Sequence, residues 1–152
     1  MKVGRWVLRK VLTADQYEAL RQTFASSIAF VVKRLPEIVL IKIKTDVHLT
    51  KRLDYERKDI FLHVDTELEN FRLSSCRKEP KTVEWIETYI KEGEVFFDIG
   101  ANVGAYALVA SKFFGGSIQV YAFEPSASNF LQLCKNIQLN ECQDGIVPLQ
   151  IA

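Results

Sequence analysis

A chain of 152 residues, 48% hydrophobic and 26% charged, has the composition of an ordinary folded domain and excludes a disordered or fibrous protein. The net charge of +1 conceals an asymmetry: residues 1–44 carry nine Lys or Arg against three acids, and residues 93–152 carry two Lys against five. The second half is therefore no general polyanion binder. Three cysteines, Cys76, Cys134 and Cys142, form no C-x-x-C pair, which argues against a disulfide framework and for a reducing cytoplasm. His48 and His63 sit in no metal-ligand spacing, and no metal is expected.

MKVGRWVLRK is basic but has no uninterrupted apolar run and no small-residue cleavage site, so no signal peptide is expected. LTADQYEALRQTFASSIAFVVKRLP predicts a helix. Thr13 and Gln16 fit a capping box, Tyr17, Leu20, Phe24, Ile28, Val31 and Leu35 recur on one face, and Pro36 stops it. Its most apolar part, FASSIAFVV, is far shorter than the ~20 residues a bilayer span requires. This face is expected to pack against the body of the protein, with peripheral contact to a membrane surface as the alternative. EIVLIKIK (37–44) alternates and is β-branched, which predicts a strand, and DIFLHVD (59–65) predicts another. RKEPKTVEWIETYIKEG (77–93) predicts a helix with Pro80 in its first turn, an apolar face of Val83, Ile86, Tyr89 and Ile90, and Gly93 at the C′ position.

From residue 94 the pattern changes. EVFFDI is a continuous apolar run, as in a strand buried on both faces. ANVGAYALVASKFF predicts a helix ending at Gly115-Gly116, and SIQVYAFEP a second strand. SASNFLQLCKNIQLN predicts a helix with Ser126 as N-cap and Asn140 as a left-handed terminator, and GIVPLQIA begins a third strand. Strand and helix alternating at this spacing mean βαβ units and a parallel sheet.

VFFDIGANVGAY places a glycine loop at the carboxyl end of the first parallel strand, where open α/β sheets bind ligands. Gly100 permits a tight turn, and Gly104 permits close approach of the helix to the strand or to a ligand. No Lys follows as a P-loop requires, and the middle glycine of a dinucleotide loop is missing. Asp98 would repel a pyrophosphate but suits a ligand with a cationic amino-acid end. S-adenosylmethionine carries an ammonium, a sulfonium and one carboxylate. Glu124, at the end of the next strand and twenty residues beyond Gly104, can accept hydrogen bonds from both ribose hydroxyls. That feature alone fits NAD equally well. The bland alternative is a plain strand–helix turn with Asp98 capping the helix. Tyr106, an aromatic just past the loop, reads as core, and Asn129, Asn136 and Asn140 read as helix-surface or capping residues.

FFDIGANVGAYALVA followed by VYAFEPSASNFLQLCKNIQLN resembles the FkbM family of S-adenosylmethionine-dependent methyltransferases. The lead-in KEPKTVEWIETYIKEGEV is similar as well, so the likeness covers residues 77–152. The resemblance implies a Rossmann-like class I methyltransferase fold, of which the first parallel β-α-β-α-β portion is present, after an N-terminal helical and strand extension over residues 1–76. It implies that Asp98, Gly100, Ala101, Asn102 and Gly104 line the methionine end of S-adenosyl-L-methionine and that Glu124 holds the ribose. It implies O-methylation of a hydroxyl on a sugar, glycan or natural product, hence a small-molecule or glycan acceptor and no nucleic acid. No catalytic base can be named. The chain is expected to be a fragment, inactive alone, with one edge of EVFFDI left open unless earlier segments cover it. An NAD-dependent oxidoreductase and a non-catalytic interaction protein are the competing readings.

Overall fold

The structure, a computed structural model, describes residues 13–151; MKVGRWVLRK lies outside them. Packing divides the chain into two compact units, one ending at Val47 and one beginning at His48. In the first, helix α1 (Ala14–Val32) starts at the predicted capping box: the Thr13 hydroxyl accepts the Gln16 N–H at 3.3 Å, and the Gln16 side chain accepts the Thr13 N–H at 2.9 Å. Residues 37–44, whose alternation predicts a strand, instead form helix α2 (Glu37–Asp46). A strand needs a neighbour to bond its backbone, and no described strand pairs with this segment. A helix satisfies the same groups internally. Pro36 sets its start, Glu37 suits its positive N-terminal end, and Lys42 pairs with Asp46 one turn on at 2.8 Å. No residue of either helix is buried. No described helix is long and apolar enough to cross a membrane.

The second unit opens with an antiparallel pair, β1 (Thr50–Arg52) and β2 (Phe61–His63). Two short helices, α3 (Glu67–Arg72) and α4 (Ser75–Lys78), lead to α5 (Pro80–Tyr89), which has Pro80 in its first turn as expected. Ile90 caps α5, so Gly93 is not its C′ residue; it turns the chain beyond the helix at φ +82. Then come β3 (Val95–Ile99), α6 (Ala105–Phe114), β4 (Gln119–Phe123), α7 (Ala127–Leu139) and β5 (Ile146–Leu149). The three strands are parallel in the order β3-β4-β5, with Asp98 opposite Ala122 and Ile99 opposite Phe123. These are the βαβ units and the parallel sheet that the alternating pattern predicts. By packing, the hairpin from His48 onward joins the same unit as the parallel sheet, because β2 lies against α7.

The sheet has unequal faces. Asp98, Val120, Ala122 and Ile146 are buried on the side packed by α6, whose Ala107, Leu108, Val109 and Ala110 are fully buried. Val95, Phe97 and Ile99 on the other side are exposed, and Phe97 stacks on Tyr121 with ring centroids 5.6 Å apart. β3 is an edge strand of this sheet.

α6 and α7 meet closely at Gly104. It holds φ +88, and a Cβ there would stand 2.5 Å from Leu133 Cδ1. Leu133 is fully buried, so its side chain would have to shift within the core to admit a methyl group. Gly100 also holds a positive φ, +82, but nothing lies within 4 Å of its Cβ position. Gly104→Ala should therefore combine backbone strain with overpacking and cost roughly 2–4 kcal/mol, against roughly 1–2 kcal/mol for Gly100→Ala. Urea denaturation of the two variants checks the order; equal losses would reject the packing role of Gly104.

Candidate functional site

β3 and β4 end side by side, and the reversals that follow them are tied together. The Phe123 carbonyl accepts the N–H groups of both Gly100 and Ala101, each at 2.9 Å. Glu124, 5% exposed, accepts the Asn102 N–H on Oε2 at 2.8 Å and the Ser126 N–H on Oε1 at 2.9 Å. Asn129 Nδ2 adds a longer bond to Oε1 at 3.4 Å. Asn102 holds φ +52, a left-handed conformation that asparagine tolerates, and its own Oδ1 accepts the Val103 N–H at 3.0 Å. The Gly104 N–H donates to the Ala101 carbonyl at 2.8 Å.

Every N–H from residue 100 to residue 104 thus has a partner inside the protein. A loop that cradles phosphate works by presenting such groups to the ligand. Between residues 100 and 104 this loop presents none, and it carries two carboxylates at its borders.

Asp98 is 9% exposed. Its Oδ2 accepts the Ala107 N–H in the first turn of α6 at 3.0 Å, so the capping role is real. Capping does not account for the charge. Burial pushes the carboxyl up to about 6, the Ala107 bond pulls it only partly back, and no described charge offsets the burial. An isolated buried carboxylate destabilises the fold unless a cation joins it.

The sequence-predicted residues fall together, but in different roles. Asp98, Gly100, Ala101, Asn102 and Glu124 surround one loop, whereas the Cβ direction of Gly104 faces Leu133 of α7. A cavity of about 290 Å³ opens beside Asn102 and Asn129, with Arg72 and Glu69 of α3 on its far wall. A second cavity, of about 480 Å³, lies by Tyr55, Arg57 and Glu87, where the charges already pair: the Tyr55 hydroxyl donates to Glu87 at 2.8 Å and Arg57 reaches Glu87 at 2.9 Å. Tyr106 is half-buried and donates its hydroxyl to the Ser75 carbonyl at 3.1 Å, a packing role as predicted.

The asparagines are the correction. Asn136 is fully buried and Asn140 4% exposed, and both bond the backbone of β2. Asn140 holds φ −98, so it is not the left-handed terminator; Glu141 takes that conformation at φ +56. The Asn140 side chain is instead held by Phe61. Gln132, Asn136 and Asn140 follow one another at four-residue spacing, interleaved with Leu133 and Ile137. That amide stripe on a buried face was the visible signal.

No protein-family model matches this chain, and no curated protein matches it. Solved structures do. A protein described as a transferase, PH0793 from Pyrococcus horikoshii, is similar over 70% of this chain and 37% of its own, at 21% identity and a TM-score of 0.52. M. jannaschii TYW2, solved in complex with AdoMet, is similar over 62% of this chain and 41% of its own, at 21% identity and a TM-score of 0.49. aTrm5, solved with tRNALeu, is similar over 68% of this chain and 28% of its own, at 17% identity and a TM-score of 0.49. The likeness to PH0793 shows the Rossmann-like fold. The chain spans well under half the length of each of these proteins. The expectation of a small-molecule or glycan acceptor and no nucleic acid is corrected, since the structures similar to this chain include one that carries tRNALeu.

The carboxyl of Asp98 titrates near 6 when folded and near 3.8 when unfolded. The folded state binds the extra proton between those values, so stability is fullest below 3.8 and falls as pH rises through about 6. Asp98→Asn keeps an acceptor for Ala107 and removes the charge. Its stability relative to the unaltered chain should be about 2–3 kcal/mol greater at pH 7.5 than at pH 4. Thermal or urea unfolding at the two pH values checks this; a pH-independent difference would refute it.

Proposed function

We propose that this protein is an S-adenosylmethionine-dependent methyltransferase whose residues 77–152 hold the cofactor. The observation that carries the reading is Asp98: a buried carboxylate without a cation, beside a loop whose N–H groups are all in use. An ammonium supplies the missing charge, and no phosphate is needed. Glu124 spends lone pairs on Asn102, Ser126 and Asn129 yet keeps acceptor capacity on Oε2 for a ribose hydroxyl. Gly100 leaves open space at its Cβ position, through which a ligand can approach the backbone. Ala101 and Asn102 form the adjoining wall in this reading.

When bound, S-adenosylmethionine supplies an activated methyl group for in-line displacement. The residues described here act by holding and orienting. Asp98 fixes the amino-acid end and Glu124 the ribose end, so neither is assigned the removal of an acceptor proton. Transfer to a hydroxyl oxygen is the finer part of the proposal, and the FkbM resemblance supports it. A cytoplasmic setting completes it: the three cysteines are free, as a reducing compartment keeps them.

The NAD-dependent reading loses support, because a pyrophosphate finds no free N–H between residues 100 and 104 and meets the Asp98 carboxylate. Isothermal titration with S-adenosylhomocysteine tests the proposal. Asp98→Asn and Glu124→Gln should each weaken binding by roughly 1–3 kcal/mol, and NAD should not bind. Below pH 6, where Asp98 takes up a proton, affinity should fall by about tenfold per unit. Unchanged affinity in both variants would sink the site assignment. A gain in stability for Asp98→Asn with no ligand bound by any form would favour the non-catalytic interaction protein.

A further inference from the structure

β2 has two edges. One pairs with β1, and the other meets no strand. Helix α7 supplies that second partner with side chains. Asn136 Oδ1 accepts the His63 N–H at 2.9 Å, and Gln132 Nε2 donates to the His63 carbonyl at 3.2 Å. Asn140 exchanges both bonds with Phe61, accepting at 2.9 Å and donating at 2.6 Å. A strand's outward-facing groups recur every second residue, and amides four apart on a helix recur every turn. The two spacings, about 6–7 Å and 6 Å, match closely enough to pair.

Asn136 differs from its neighbours in one respect. Its Nδ2 also donates to the Val103 carbonyl at 2.9 Å, inside the glycine loop. Both ends of this one fully buried amide are therefore in use, one on the hairpin and one on the loop. Val103 directly follows Asn102, whose N–H is bound by Glu124. Asn140 touches the hairpin and its own helix but not the loop.

We infer that Asn136 is a positioning residue for cofactor binding, setting the loop through the Val103 carbonyl and coupling it to the β1–β2 hairpin, an inference that rests on the cofactor reading above. The amide acts on the ligand only through the loop. A purely structural asparagine would anchor β2 and leave affinity alone, and Asn140 is the internal comparison for that.

The test is titration of the full chain with S-adenosylhomocysteine in three forms. Asn136→Asp keeps an acceptor for His63 and removes the donor to Val103; Asn140→Asp removes the donor to Phe61 and leaves the loop alone. Both should melt at lower temperature. The dissociation constant should rise about tenfold or more for Asn136→Asp and less than about twofold for Asn140→Asp. A second measurement needs no variant. By linkage, a ligand that fixes the loop should slow hydrogen exchange at the His63 N–H, bonded to Asn136, more than at the Phe61 N–H, bonded to Asn140. Equal losses of affinity, or equal protection at the two amides, would overturn the positioning role alone. No binding by the unaltered chain would overturn the cofactor reading and this inference with it.

Discussion

Glu124 is one carboxylate shared by two chain reversals. It takes the Asn102 N–H from the loop after β3 and the Ser126 N–H from the start of α7. Charge-assisted bonds to backbone donors are among the stronger local contacts in a protein. Here they hold the ends of two neighbouring strands in register at the place where the sheet opens. Gly100 and Ala101 add their bonds to the carbonyl of Phe123, the residue just before Glu124. The loop is thus built on β4 as much as on β3. That clip joins the bond from the Val103 N–H to Asn102 Oδ1 in holding the left-handed Asn102 in place.

The loop has little freedom left for recognition by its backbone. What remains on offer is charge and space: a buried acid with no counter-ion, a second acid with spare lone pairs, and an open approach at Gly100. In the proposed reading a cationic ligand relieves the cost of burying Asp98, and the loop from residue 100 to residue 104 has no N–H to spare for an anion.

The βαβαβ order was legible because the parallel strands are apolar runs between punctuating glycines and capping residues. The places of Asp98 and Glu124 at the ends of β3 and β4 were legible because acids stand out against VFF and YAF. The failures have a common cause. Residues 37–44 alternate like a strand, yet alternation says nothing about whether a partner strand exists. Asn136 and Asn140 look like surface amides, and only the hairpin far earlier in the chain gives them a reason to be buried. Periodicity along the chain reports on an element; it does not report on what that element will meet.

The closeness of Leu133 to Gly104 fixes more than a distance. Leu133 fills the volume where a side chain at 104 would stand, so α7 seats against the start of α6 in one angular setting. One residue of rotation is about 100°. Such a turn would bring Gln132 or Cys134 to the gap and swing Asn136 and Asn140 away from β2. The fit of Leu133 over Gly104 and the pairing of the β2 edge thus share one setting of the helix.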